Sequence, residues 1–142
     1  MLAVVAVGGG RRARGSGDGG AGMAAKDELG RRGEQLAAEY LTEQGLAVLA
    51  RNWRCAEGEL DIVATDGDST VVFCEVKTRR GTGFGTPLEA VTRGKRRRIR
   101  RLAFLWLSSM KPCHWTVSRF DVIGILIPDG AAPQIEHVIE AF

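Results

Sequence analysis

The sequence predicts a single α/β domain, a mixed central sheet flanked by helices. Three observations carry this. Between Glu59 and Arg80, two runs rich in β-branched and aromatic residues flank Asp66-Gly67-Asp68-Ser69, the pattern of an antiparallel hairpin. Asp27–Gln44 and Pro87–Ser108 each repeat apolar residues at helical spacing. Strand-like runs before the first hairpin strand and after the second helical stretch complete an order α-β-β-β-α-β-β, which layers helices on a mixed sheet. At 142 residues the chain suits one domain with a substantial core.

Residues 1–22 are dominated by Gly, Ala and Arg and are expected to form no packed element. They read as a flexible basic tail, or as sequence upstream of the true start. Met23 stands directly before the first ordered-looking segment, so the domain is placed at 23–142. From Asp27 to Gln44, Leu29, Leu36, Ala37, Tyr40 and Leu41 mark one helix face, and Gly45 supplies a stop. Glu34 falls at the flank of that apolar arc, where it can reach the edge of a sheet beneath. Glu39 and Glu43 fall on the solvated side. The plain alternative for Glu34 is a surface glutamate that favours the helix.

Leu46–Arg54 reads as a first strand, and Ala56-Glu57-Gly58 turns the chain into the hairpin. A three-residue loop, Gly67–Ser69, pairs Asp66 with Thr70 and sets Asp61 opposite Glu75. A two-residue loop would place Cys74 there and turn Asp61 to the other face. Two facing carboxylates, roughly 5 Å apart at Cβ, repel unless something lies between them. A divalent cation, Mg²⁺ or Mn²⁺, is the natural occupant, with Asp61 and Glu75 as hard oxygen ligands. Lys77 shares the face of Glu75 and could orient or deprotonate a water. The alternative is a solvated hairpin face with a Glu75–Lys77 ion pair. With 17 acids and four lysines, an acid-x-Lys triplet arises about 0.5 times by chance, so its context decides.

After Lys77, Arg79 and Arg80 lead into Gly81–Gly85, a basic loop without a Walker or dinucleotide pattern. Thr86-Pro87-Leu88-Glu89 has the composition of a capping box, and a helix is expected from Pro87 to about Ser108. Leu88, Val91, Ile99, Leu102, Ala103, Leu105 and Trp106 form its apolar stripe. Arg93, Arg96, Arg97, Arg100 and Arg101 occupy the other side, while Lys95 falls in the apolar arc and either snorkels or points at a site beneath. Lys111–Val117 reads as a loop, Arg119–Ile127 as a strand, and Gln134–Phe142 as a last edge strand.

The net charge of +3 is unevenly placed: residues 93–101 carry seven cations and no acid. Such a patch reads first as a site for a polyanion, and arginines without compensating acids favour phosphate. No apolar run is long enough to span a bilayer, and Met1–Val7, with its arginines behind it, is a poor secretory signal. Cys55, Cys74 and Cys113 form neither a paired framework nor a CxxC motif and are read as reduced residues of a cytoplasmic protein. Together with His114 and His137 they are too scattered for zinc.

With Glu34 on the first helix, Asp61 on the second strand and Glu75-Val76-Lys77 on the third, the chain resembles the PD-(D/E)xK nuclease superfamily. These are the restriction-endonuclease-like enzymes that include Holliday junction resolvases. Gly33-Glu34, Gly58-Glu59-Leu60-Asp61, Phe73-Cys74-Glu75-Val76-Lys77-Thr78-Arg79, Lys95 and Arg119-Phe120-Asp121-Val122 resemble more narrowly the YraN-like family of small bacterial proteins. The likeness covers about residues 27–127. It implies a restriction-endonuclease-like αβββαβ core. It also implies Mg²⁺ (or Mn²⁺) held by Asp61 and Glu75, Lys77 serving the attacking water, and Glu34 supporting the metal or its water. Leu60 stands where the superfamily pattern has a proline.

The expected function is that of a metal-dependent nucleic-acid endonuclease hydrolysing phosphodiester bonds, structure-selective on DNA. Arg79, Arg80, Lys95, Arg96, Arg97, Arg100 and Arg101 would contact backbone phosphates. A homodimer would suit action on two strands. The alternatives are a nucleic-acid-binding protein of the same fold that does not cut, and a module whose basic helix meets an acidic protein.

Overall fold

The computed structural model describes residues 2–6, 22–81 and 85–142. Its elements are β1 (Leu2–Ala6), α1 (Gly22–Glu43), β2 (Ala47–Cys55), β3 (Gly58–Thr65), β4 (Thr70–Arg79), α2 (Arg93–Ser109), β5 (Val117–Leu126) and β6 (Gln134–Val138). They build one six-stranded sheet in the order β1-β6-β5-β4-β3-β2. Only β4 and β5 pair in parallel. A parallel neighbour requires a crossover, and α2 supplies it. The α/β class and the αβββαβ core are as expected.

Side-chain alternation along the central strands fills two cores, one on each side of the sheet. Val72 and Cys74 of β4 join Ile62, Ile123 and Ile125 under Ala37, Tyr40 and Leu41 of α1. Val71 and Phe73 join Val63, Phe120 and Val122 under Ile99, Leu102 and Trp106 of α2. Phe73 meets Trp106 edge-on and stacks on Phe120. The helices therefore lie on opposite faces, and successive side chains of β3 and β4 point to one helix or the other.

The local signals explain the ends of the elements. Gly45, at φ +90°, closes α1 with a Schellman pair: its N–H donates to Thr42 O and that of Leu46 to Leu41 O. The hairpin turns through Gly67, at φ +84°, while the Asp66 carboxylate accepts from the N–H groups of Asp68 and Thr70. Asp66 N–H donates to Thr70 O, and the ladder runs Thr65–Val71 to Ile62–Cys74. This is the three-residue-loop register.

Four expectations are corrected. The Thr86–Glu89 capping box does form, each partner bonding the other's backbone N–H at 3.3 Å, but it caps only a turn through Pro87–Ala90. Val91 then enters the core at 2% exposure, and the helix restarts with Thr92 as its N-cap, the hydroxyl accepting from Lys95 N–H. The first helix begins earlier than Asp27, at Gly22. Leu2–Ala6, expected to pack nowhere, is a strand: its Ala-Val-Val run satisfies backbone groups on β6, so β6 is not an edge strand. The glycine- and arginine-rich residues 7–21, and residues 82–84 of the loop after β4, lie outside the described residues.

A buried polar network ties β5 to α1 and β6. Asp121, fully buried, accepts two bonds from the Arg119 guanidinium and one from Glu140 N–H. His137 Nε2 lies 2.7 Å from its other face and donates to it. The ring's Nδ1 lies 3.0 Å from Tyr40 OH, within hydrogen-bond distance. Asp121 stays below the ordinary carboxylate range: burial pushes it up, and the His137 and Arg119 bonds outweigh that. Every member is satisfied, which makes the cluster a brace. Among the described residues no helix is long and apolar enough to cross a membrane.

Candidate active site and metal centre

The ladder between β3 and β4 stops at Ile62–Cys74, one step short of Asp61–Glu75. There the strands part, and the Asp61 carboxylate, instead of its backbone, takes up the next donor: Oδ2 accepts from Val76 N–H at 2.9 Å. The splay opens room between the strands for side chains from both helices.

From one side comes α1. Gly33 lies flat on β4, so close that a Cβ there would sit 1.8 Å from Thr78 Oγ1. That contact needs a residue without a side chain, and it delivers the next residue, Glu34, to the opening. Carboxylate oxygens of Glu34, Glu59 and Asp61 all lie within 4.8 Å of one another. Glu59 also pairs with Arg54 at 3.0 Å. From the other side comes the first turn of α2. Lys95 Nζ lies 2.7 Å from Glu75 Oε1, and Lys77 Nζ lies 3.4 Å from the same oxygen.

Asp61 carries the strongest electrostatic signature. Burial, then the neighbouring Glu75 charge, push its pKa from 3.8 to about 7, with Glu34 adding to the rise and the Val76 N–H opposing it. Lys77 is lowered, by burial first and then by the second ammonium beside it. Burial opposes the charge on Lys95 too, but its bonds to Glu75 and Lys77 outweigh this and hold it above the usual lysine range. The two lysines stand on Glu75, and Lys95 also attracts Asp61 from farther off, which does not cancel the acids gathered there. The three hard oxygen donors Glu34, Glu59 and Asp61 fit Mg²⁺ or Mn²⁺.

The structure thus brings together Glu34, Asp61, Glu75 and Lys77, all expected, and adds two groups. Lys95, expected on nucleic acid or else pointing at a site beneath the helix, stands on Glu75. Glu59 was not among the expected site residues. Its position two residues before Asp61 on one strand, hence on the same face, was the available signal.

The arginines are more occupied than their sequence suggested. Arg96 donates to Val91 O, and its guanidinium lies 5.6 Å from the Phe142 ring. Arg100 sits over Phe120 at 4.8 Å. Arg101 pairs with Glu57 at 3.2 Å. The helix face is therefore not without compensating groups, because Glu57 and the aromatic rings come to it from distant sequence. Arg97 is exposed. Arg79 donates to Gly85 O, and Arg80 is exposed just beyond the end of β4.

The model of the family described as "Uncharacterised protein family UPF0102" matches residues 33–125. The chain belongs to the UPF0102 family. That span holds every charged residue of the site, from Glu34 to Lys95. A UPF0102 protein of Rhodococcus opacus is 56% identical over 120 residues, covering 84% of this chain and all of the relative. One from Nocardia farcinica is 53% identical over 117 residues, 82% of this chain and 91% of the relative. One from Streptomyces griseus is 52% identical over 115 residues, 81% and 96% of the two chains. UPF0102 is the YraN-like family that the sequence resembles, and its placement in the nuclease superfamily agrees with the fold. These names carry the family and no reaction, so the chemistry must be argued from the site.

Proposed function

We propose that this chain is a metal-dependent endonuclease that hydrolyses phosphodiester bonds, with DNA as substrate. The observation that carries the reading is the convergence of Glu34, Glu59, Asp61, Glu75, Lys77 and Lys95 from four elements at the one place where β3 and β4 part. A solvated hairpin face has no need to collect that many charges around a carboxylate lifted to about 7.

Glu34, Glu59 and Asp61 would hold Mg²⁺ or Mn²⁺, with Glu75 beside them. The cation, when bound, polarises a phosphate and lowers the pKa of a coordinated water. Lys95 fixes one oxygen of Glu75 and keeps its charge. Lys77 would orient the attacking water. Because burial and Lys95 disfavour its charge, it gives up its own proton more readily than an ordinary lysine, so that the neutral amine could take the water's proton. The water oxygen bonds to phosphorus, the bond to the leaving oxygen breaks, and solvent protonates that oxygen. Arg79 and Arg80 lie beside Lys77 along the chain and suit the flanking phosphates. The free cysteines Cys55, Cys74 and Cys113 suit a cytoplasmic protein, and action on two strands would favour a homodimer.

One observation favours the alternative of binding without cutting: Glu75 already has a counter-ion in Lys95 at 2.7 Å. The test is cleavage of linear, flapped and four-way DNA, and of RNA, with Mg²⁺ or Mn²⁺, for wild type, Asp61→Ala and Lys77→Ala. Cleavage lost in both variants with binding kept is the expected result. Binding by clean wild type without cleavage of any substrate would move the assignment to the non-cutting reading. Cleavage that survives both substitutions would place the activity elsewhere.

A further inference from the structure

Beside the charged cluster, a groove of about 670 Å³ runs between the N-terminal turns of α1 and the end of β4. Its floor is apolar, from Leu29 and Val76. Exposed Lys26 and Arg80 line it together with half-buried Glu34 and Lys77, both members of the site. We propose that this groove is the channel for a single strand of nucleic acid, which it leads by its phosphates to Lys77. The proposal rests on the nuclease reading for where the strand ends, and on the groove alone for what binds there.

Charge decides for a polyanion. Lys26, Lys77, Arg79 and Arg80 line the groove against one acid, Glu34, beside which a cation is expected. Size decides for one strand. The volume is within that of a ligand pocket, roughly 300–1,000 Å³, which takes up a few linked nucleotides of one strand and is too small to enclose a paired duplex. The outer arginine face of α2 is the competing surface; there Arg101 is paired with Glu57, whereas the groove has two residues of the site, Glu34 and Lys77, in its lining. Among the described residues no aromatic ring lines the groove, so stacking contributes little there and the channel is tolerant of sequence. Affinity then comes from phosphate contacts and falls with salt, by about 0.7 in log–log slope for each one.

Gly30 gives a clean obstruction. It lines the groove, and a Cβ there would meet nothing within 4 Å, so Gly30→Leu fills the channel without disturbing the packing of α1. It also replaces a helix-interior glycine, so its melting temperature should hold or rise. The experiment is fluorescence anisotropy of labelled oligothymidine, oligouridine and a blunt duplex of equal length, in EDTA. Wild type should bind single strands more tightly than duplex, and the two single-stranded arms tell DNA from RNA. Gly30→Leu and the pair Lys26→Glu/Arg80→Glu should each weaken single-strand binding on the order of tenfold or more. Lys111→Glu, a single charge reversal (half the change of the pair) beyond the far end of α2, should leave it unchanged.

Binding unaltered in both groove variants, preference for duplex, or no binding by wild type would each overturn the channel. Groove variants that lose binding while wild type cuts nothing would support the channel and remove the nuclease reading. Groove variants that bind and cut single-stranded DNA as wild type would do the reverse.

Discussion

Asp61→Asn isolates the central charge with little change of shape. The amide oxygen can still accept from Val76 N–H, as Asp61 Oδ2 does at 2.9 Å. In the folded protein the Asp61 pKa stands at about 7 against an ordinary 3.8. A raised carboxyl pKa means that the folded state binds the proton more tightly than the unfolded chain. Below pH 3.8 both states hold it and the residue costs nothing. As pH rises from 3.8 to about 7 the unfolded chain ionises first, and the protein loses stability until the folded carboxyl ionises as well. At about 1.4 kcal/mol for each tenfold change in acidity, the loss reaches about 4 kcal/mol above pH 7. Asparagine does not ionise and escapes it. Urea unfolding in EDTA should therefore give similar stabilities for the two proteins near pH 4. The gap should widen through pH 5 and 6 and reach up to about 4 kcal/mol in favour of Asp61→Asn at pH 8. Mg²⁺ added at pH 8 should stabilise wild type, by about 2.7 kcal/mol at a hundredfold excess over its Kd, and leave the variant behind. A gap that stays constant from pH 4 to pH 8, or a variant less stable than wild type at pH 8, would refute the account of a half-buried carboxylate crowded by acids.

Three further outcomes are expected. Gly33→Ala gains about 1 kcal/mol of helix propensity but drives a methyl into Thr78, whose Cγ2 and Cβ would also lie within 2.8 Å. Overpacking of about 1–3 kcal/mol should win, so the urea midpoint falls and Mn²⁺ affinity drops as Glu34 moves. Thr78→Ala in the same chain should restore part of both. Lys95→Met removes the 2.7 Å partner of a carboxylate only 8% exposed, and should cost about 2–4 kcal/mol in EDTA. Titration calorimetry should show tighter Mn²⁺ binding, because no ammonium competes for Glu75. Asp121→Asn should cost about 3–5 kcal/mol at pH 7. Because the folded Asp121 pKa is depressed, its stabilisation is present above pH 3.8 and lost as pH falls through the folded value. Acid unfolding below about pH 4 should therefore be shallower in the variant than in wild type.

Much of this molecule was decided by short-range chemistry. The hairpin register followed from Gly67 and the Asp66 side chain, which act within four residues, and that register set Asp61 against Glu75. The helical stripe of α1, its glycine stop and the position of Glu34 beside the apolar arc were equally local. From these came the α/β class and four of the site's side chains. The start of α2 was legible only in part: two capping signals stand six residues apart, at Thr86 and Thr92, and burial of Val91 decides between them. What only the tertiary structure decided is which charges meet. The sequence leaves Lys95, in the apolar arc of its helix, either snorkelling or pointing at a site beneath, and only with α2 laid across the sheet does its ammonium find Glu75. Glu59 becomes a partner of Asp61 and Glu34 because β3 leaves β4 at that step. Arg100 and Arg101 look unopposed along the chain and find Phe120 and Glu57 in space. Leu2–Ala6 gains a partner only because β6 leaves one side open. Periodicity and turn chemistry fix neighbours within a few residues, but ion pairs and ring contacts depend on where strands splay and helices cross, which the packing of the two cores sets.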